Sequence, residues 1–409
     1  MKKLFILITL LVTTLTSSAT PTDNVVADSA LAVSVTDTTV ADTTKTKKAG
    51  GFKGWIDRVL NSRAKAKNKK FDTAWVLGPA YSAVSSFTLG GVFSGFYSWD
   101  CADSTLQKSN VSAFGSISVN GTASIGVEGN NFLPHDDWRI NYLLMFLTMP
   151  QRFWGVGYEA GAQQSNYGTY RRLFLQFRPE FMRRVCRGLY VGPTLDIDYT
   201  NIYNITDRAD GTSPIVYSNG TDNLTFHQRV FTAGVGVSVA LDTRDLVINA
   251  SKGVYLRAQQ LNFPSFFSNT SGYFGTADFI FSHYVKLWKG CVMAYDVHTM
   301  LTFGDVPWTR FPQLGSSYRM RGYYAGQYRD KNIAELQLEL RQHIWNRFGV
   351  AVWGGCGNVW GLEPFKWSHT LPNYGIGLRF ELKPRSNVRV DVGFTNKDWN
   401  VCFNMNEAF

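Results

Sequence analysis

Tyr374, Ile376, Leu378, Phe380 and Leu382 alternate with Gly375, Gly377, Arg379, Glu381 and Lys383, and this period of two recurs along most of the chain. A strand sends successive side chains to opposite faces, so such a stretch carries one apolar face and one small, polar or charged face. Phe231, Ala233, Val235, Val237, Val239 and Leu241 oppose Thr232, Gly234, Gly236, Ser238, Ala240 and Asp242 in the same way. So do Ala334, Leu336, Leu338, Leu340 and Ile344 against Glu335, Gln337, Glu339, Arg341 and His343. From Phe71 to Phe409 a 3.6-residue apolar stripe never persists. After the first 20 residues no apolar run is long enough for a membrane-spanning helix.

The alternation predicts strands near residues 73–82, 86–98, 111–119, 121–131, 137–147, 169–183, 187–203, 228–241, 253–263, 273–286 and 290–303, then near 333–344, 348–359, 372–383, 387–394 and 399–409. Eleven strands thus precede an arginine-bearing segment and five follow it. Sixteen strands at about 21 residues per strand and turn fit an all-β fold, an even-numbered antiparallel transmembrane β-barrel. A soluble β-sandwich would alternate too. The barrel is favoured by an export signal, by aromatic strand ends and by the final strand, because closed barrels are the β-structures a bilayer permits.

The export signal is Met1 to Ala19: Lys2 and Lys3, an apolar core from Leu4 to Leu15, then the small residues Ser17, Ser18 and Ala19. Residues 20–46 are rich in Thr, Asp, Ala and Val and read as a disordered linker. Lys45 to Lys70 holds ten basic residues against Asp57, a local +9 within a net +10, which leaves +1 for everything else. In this basic periplasmic segment, assigned to residues 47–70, Trp55, Ile56, Val59 and Leu60 share a helical face. An amphipathic helix on an anionic leaflet or at a channel mouth and a solvated basic tether both fit it. Residues 71–409 are assigned to the barrel. Charge confined to one tether gives no folded basic face, so nucleic acid is excluded as a partner.

Cys101, Cys186, Cys291, Cys356 and Cys402 are widely spaced and lack Cys-x-x-Cys pairing, so they suggest neither a disulfide framework nor a zinc site. They read as small apolar fillers on strands. No metal, cofactor or small-molecule substrate is called for. The triplets Asn219-Gly220-Thr221 and Asn223-Leu224-Thr225 carry little weight in a polar loop.

The last predicted strand places Trp399, Val401, Phe403, Met405, Glu407 and Phe409 on one face and Asn400, Cys402, Asn404, Asn406 and Ala408 on the other. It resembles the carboxy-terminal targeting signal of bacterial outer-membrane barrels, with Trp399, Phe403 and Phe409 as its aromatic residues, and it implies the outer membrane of a Gram-negative bacterium. Arg319-Met320-Arg321-Gly322-Tyr323-Tyr324 lies in the segment that interrupts the strands.

Several segments, in order, resemble the BamA/TamA family, also called the bacterial surface antigen family. Leu241-Asp242-Thr243-Arg244-Asp245 followed by Ser251-Lys252-Gly253-Val254-Tyr255 matches its Asp-x-Arg-Asp and x-x-Gly-x-Tyr pattern. Met320-Arg321-Gly322-Tyr323 matches the Arg-Gly-Phe/Tyr motif of its sixth extracellular loop. Glu339-Leu340-Arg341, Gly357-Asn358-Val359-Trp360, Gly375-Ile376-Gly377-Leu378-Arg379 and Val388-Arg389-Val390-Asp391-Val392-Gly393 match the strands that follow.

The resemblance implies a loop folded back into the lumen, with Arg321 meeting carboxylates on the inner wall. Parity independently puts Glu339 and Asp391 on inward faces, and a desolvated guanidinium needs charged partners. The family's acid before Gly-Asn-Val-Trp is here Gly355, so one carboxylate is missing. About fifty residues between signal and barrel leave no room for periplasmic repeats. The resemblance implies insertion or translocation of a protein or lipid client, with outer-membrane lipid and an unfolded outer-membrane or secreted protein as partners. Pro79 in the first strand lacks a ladder donor and would thin a seam with the last strand, or simply sits at an unpaired strand end. A structural barrel or plugged pore without a client is the alternative. A hydrolase built on Ser282, His283 or His298 ranks last, because no spacing selects a triad and the reading is of a non-enzyme.

Overall fold

The computed structural model describes residues 71–82, 86–99, 109–211, 229–246, 249–383, 386–405 and 407–409. The export signal, the linker, the basic segment, Cys101 and both Asn triplets lie outside them.

The chain is a single antiparallel sheet of 16 strands with a loop folded inside it. Eleven strands come first: β1 (Phe71–Ser82), β2 (Ser86–Tyr97), β3 (Ser109–Ser118), β4 (Ala123–Phe132), β5 (Trp138–Phe153), β6 (Gly168–Cys186), β7 (Leu189–Tyr203), β8 (Arg229–Asp242), β9 (Gly253–Phe263), β10 (Phe274–Trp288) and β11 (Cys291–Gly304). The loop at 305–331 carries its own small hairpin of β12 (Gln313–Leu314) and β13 (Tyr328–Arg329). The wall resumes with β14 (Asn332–Trp345), β15 (Phe348–Trp360), β16 (Leu371–Lys383), β17 (Ser386–Thr395) and β18 (Trp399–Met405). Each strand pairs with its neighbour in sequence, and β11 pairs directly with β14.

The two parities separate as lipid and lumen require. Tyr374, Ile376 and Leu378 are exposed on the outside of β16, as are Val235 and Val237 on β8 and Leu336 and Leu338 on β14. Thr232 and Ser238 of β8, and Glu335, Gln337 and Glu339 of β14, are buried inside. Exposed apolar outer faces around buried polar inner ones suit a bilayer-spanning barrel. From β6 onward one end has tight turns at 187–188, 289–290 and 346–347, and the other has the connections 204–228, 264–273, 305–331 and 361–370.

Two expectations are corrected. The sheet is not closed: β1 and β18 approach each other, yet among the described residues no ladder joins them. The last strand ends at Met405, not at 409. Had the alternation continued, Glu407 would have faced outward with Phe403, placing a carboxylate beside lipid at high cost. Instead Glu407 and Ala408 are buried, and Phe409 packs against the inner cluster of Ala250, Tyr284 and Ala294. Phe409 therefore does not share a face with Trp399 and Phe403.

Candidate functional site

The loop enters the lumen through apolar contacts at its base. Val306, Trp308 and Phe311 pack with Phe153, Tyr170, Phe263 and Phe274 from the ends of β5, β6, β9 and β10. Deeper in, Leu314, Met320, Tyr323 and Tyr328 form a second buried cluster with Ile333, Val359 and Leu371. The one-turn helix Tyr158–Ala162 closes over β13: the Gly157 N–H donates to Arg329 O (2.8 Å) and Gln327 Nε2 donates to Gly161 O (2.9 Å). Asp330 accepts main-chain N–H groups from Lys331 (2.7 Å) and Leu362 (2.8 Å), which ties the 361–370 connection to the loop. Burial raises the Asp330 carboxyl above its ordinary value, and burial likewise raises the Tyr323 phenol.

At the tip, Arg321 is fully buried. Its Nη1 donates to Asp391 Oδ2 at 2.7 Å, its Nη2 donates to Glu339 Oε2, and its guanidinium lies 3.7 Å from the Trp353 ring centroid. Such a stacked and doubly paired site selects arginine over lysine. Further arginines surround the carboxylates: Arg341 Nε donates to Glu339 Oε1 (2.7 Å), Arg379 Nη1 to Asp391 Oδ1 (2.5 Å) and Arg389 Nη1 to Asp391 Oδ2 (2.6 Å). Arg389 Nη2 also donates to Ser317 O of the loop at 2.7 Å.

The backbone around this cluster is shaped for it. Gly322 has φ +120°, a region that side chains disfavour, and a Cβ at Gly393 would lie 2.3 Å from Arg321 O. A Cβ at Gly377 would lie 1.9 Å from Asp391 Oδ1, and one at Gly375 would lie 2.2 Å from Trp353 Cζ2. The small residues on the inner face of β16 thus leave the volume that Asp391 and Trp353 fill. Gly355 follows the same logic, because a Cβ there would lie 2.4 Å from Leu336 O and 2.7 Å from Asn373 Oδ1. Asn373, not an acid, serves the motif from this direction, its Nδ2 donating to Arg321 O at 3.2 Å.

The other residues singled out in the sequence lie partly at the loop and partly elsewhere. Met320, with φ +48°, is buried in the second apolar cluster, and the Tyr323 hydroxyl donates to Pro372 O at 2.8 Å. Arg319 points elsewhere, its Nε donating to Asp296 Oδ2 at 2.5 Å, and Asp296 also accepts from Ser282 Oγ at 2.7 Å. At the tight-turn end, Arg244 pairs with Asp242 through Nε (3.0 Å) and Nη2 (2.9 Å), and Asp245 accepts from Ser251 N (2.8 Å) and Oγ (2.6 Å). Gly253, at φ +109°, lets the chain pass Thr243, where a Cβ would lie 2.4 Å from its carbonyl oxygen. Asp242, Arg244, Asp245 and Gly253 therefore build one turn, away from Arg321. Trp399 and Phe403 are exposed on the outer face of β18.

Two arrangements lay beyond the sequence reading. Arg310 at the base donates to Asp196 Oδ2 (2.9 Å) and Asp198 Oδ2 (2.5 Å) of β7, and Arg178 of β6 shares Asp196 at 2.7 Å. His298 sits between Glu335 Oε2 (2.8 Å from Nδ1) and Asp278 Oδ1 (2.9 Å from Nε2). Strand parity alone puts Asp196, Asp198 and Asp278 inside, but it does not say which loop cation reaches them. The Ser282 hydroxyl donates to Asp296, and His283 stacks on Tyr295 on the outer face. A small cavity of about 50 Å³ remains beneath the loop, bordered by Arg178, Arg310, Arg319 and His298 together with Leu261, Ile280 and Met300.

The assembled geometry is a barrel plugged by a loop whose buried arginine is held on the inner wall. BamA from Haemophilus ducreyi lacking POTRA domains 1–3 superposes with a TM-score of 0.55 at 12% identity, over 82% of this chain and 69% of that one. CdiB from Escherichia coli gives 0.54 at 12% identity, over 83% and 63%, and CdiB from Acinetobacter baumannii gives 0.51 at 12%, over 83% and 60%. The fold is that of the BamA and CdiB barrels. The chain spans less than two thirds of the length of the CdiB chains. No protein-family model and no curated protein sequence matches it.

Proposed function

We propose that this chain is a BamA/TamA-like barrel of a Gram-negative outer membrane that assists insertion or translocation of a protein, or of lipid. The seam carries this reading. Every other neighbouring pair of wall strands is joined by a ladder, whereas among the described residues β1 and β18 lie side by side without one. Two strand edges that no ladder joins are a template that an incoming strand can extend. Pro79 of β1 has no N–H to offer a partner, which thins any pairing there further. The likeness in fold to BamA and CdiB supports the same reading.

The test uses liposomes containing the folded barrel and an unfolded reporter barrel. Faster reporter insertion than with empty liposomes is expected. A cysteine pair placed across β1 and β18, with the native cysteines replaced by alanine, should abolish that gain when oxidised and restore it when reduced. No acceleration, or acceleration indifferent to the lock, sinks the proposal. The buried loop favours a second reading, a plugged pore without a client. Large steady conductance across a planar bilayer, with no effect on the reporter, would support that one instead.

A further inference from the structure

The one-turn helix Tyr158–Ala162 and the connection 361–370 do more than cover β13. Between them, at the end of the wall that carries the long connections, lies a cavity of about 260 Å³. Val156, Ala160 and Leu362 give it an apolar lining, and three charged side chains border it: Glu159 of the helix, Glu363 of the connection and Arg208 of the segment after β7.

The two carboxylates are held towards each other. Glu363 Oε2 accepts the Tyr158 N–H at 3.2 Å, and its Oε1 lies against Gly157, where a Cβ would come within 2.2 Å. His369, buried and stacked on Tyr158 at 4.1 Å between ring centroids, puts Nε2 3.4 Å from Glu159 Oε1 and Nδ1 3.9 Å from Glu363 Oε2. Both acids thus converge on one ring, Glu363 mostly buried and Glu159 mostly exposed. Arg208 is anchored by its Nη1, which donates to Trp154 O at 3.0 Å.

Two acids and one guanidinium around an apolar lining are complemented by a short aliphatic molecule with two ammonium groups and one acid group. The volume falls just below the about 300–1,000 Å³ of pockets for drug-sized ligands, which suits a molecule the size of an amino acid. We propose that this cavity is a binding site for a free dibasic amino acid, of which lysine is the simplest. Its ammonium groups meet Glu159 and Glu363, its carboxylate meets Arg208, and its methylenes lie on Val156 and Leu362. The site rests on neither the insertion reading nor the seam.

Occupancy would be felt at the loop. The helix is fastened to the loop through Gly157 N–H on Arg329 O and Gln327 Nε2 on Gly161 O, and the connection through Leu362 N–H and Glu363 N–H on Asp330. A ligand held between Glu159 and Glu363 therefore clasps both covers over β13.

The experiment titrates the full chain, folded into nanodiscs, with L-lysine by calorimetry. Cadaverine, which lacks the acid group, and L-norleucine, which lacks the side-chain ammonium, are run beside it. Saturable lysine binding is expected, at least tenfold tighter than either comparator. Glu159→Gln, a change at an exposed side chain, and Glu363→Gln should each weaken lysine at least tenfold. Arg208→Gln should weaken lysine by a similar factor and leave cadaverine unchanged, which a merely loosened cap would not do. Limited proteolysis within 154–167 and 361–370 should slow as lysine saturates. No saturable binding at millimolar lysine, norleucine binding equal to that of lysine, or lysine binding indifferent to Glu159→Gln overturns the site. So does equal protection by calcium chloride in place of lysine, since any cation would then serve. Reporter insertion by the barrel is scored separately, so either proposal can fail while the other stands.

Discussion

The loop is fastened at two places that are built differently. At its base, Arg310 and Arg178 face Asp196 and Asp198, two cations against two carboxylates. At its tip, Arg321, Arg341, Arg379 and Arg389 share Glu339, Asp391 and Glu407, four cations against three carboxylates. The tip attaches to β14, β16 and β17, on the side of the wall that leads to the seam, and the base attaches to β6 and β7. With cations in excess, a carboxylate at the tip is scarcer than an arginine. Removing the scarce partner leaves buried guanidinium groups under-paired, while removing one arginine moves the cluster toward balance.

The largest effect is therefore expected from Asp391→Asn, which takes the shared acceptor from Arg321, Arg379 and Arg389 together. Breaking buried charge pairs in this way costs about 3–5 kcal/mol. Urea unfolding followed by tryptophan fluorescence should show a correspondingly lower midpoint, with the heat-modifiable mobility of a folded barrel retained in the absence of denaturant. A smaller loss than that of Arg321→Ala would break the comparison.

Arg321→Ala should fall at the lower end, about 3 kcal/mol, because Glu339 keeps Arg341 and Asp391 keeps Arg379 and Arg389. Its distinctive effect is local. Limited proteolysis should open new sites between Gly304 and Lys331 while the barrel stays folded. Unchanged protease resistance would mean that the apolar cluster around Met320 and Tyr323 holds the tip without help from the arginine.

What the sequence could convey differs between these two sites for a physical reason. Parity needs only the chain itself, so the inward placing of Glu339, Asp391, Asp196 and Asp198 is readable from alternation, as are the eleven strands before the loop and the five after it. The partner of a loop residue depends on how a long connection crosses the lumen, which alternation does not encode. Arg321 carried a motif that pointed to Glu339 and Asp391, whereas Arg310 carried none. Parity places the end of β18 at Phe409 because it assumes that the strand continues, whereas the strand ends at Met405. The burial of Glu407 beside Arg379 and Asn387 is a tertiary solution to a carboxylate that the strand would have sent outward. Gly355 gained its meaning only with the neighbouring Asn373 in view.

Arg310→Ala is expected to cost less than either change at the tip, about 1–3 kcal/mol for a lost buried hydrogen-bonded partner. Asp196 retains Arg178, and Trp308 and Phe311 remain in their apolar cluster. Urea midpoints should therefore rank Asp391→Asn below Arg321→Ala and Arg321→Ala below Arg310→Ala. A base substitution more damaging than the tip ones would place the principal fastening at β7.

The smallest quantity is the coupling between the two fastenings. Among the described residues the ion pairs of Arg310 go to Asp196 and Asp198 and those of Arg321 to Glu339 and Asp391, and Arg319 on Asp296 stands between them together with the β12 and β13 hairpin. Sites without shared partners add to within about 0.3–0.5 kcal/mol. The double variant Arg310→Ala with Arg321→Ala should accordingly lose the sum of the single losses. Adding Arg319→Ala removes the intermediate hold, and the two ends should then become coupled, since a loop released at its middle transmits displacement from one end to the other. Coupling well above about 0.5 kcal/mol in the double variant alone would show that the loop behaves as one rigid strut across the lumen. In that case the difference in charge balance between tip and base would not be what decides how firmly each end is held.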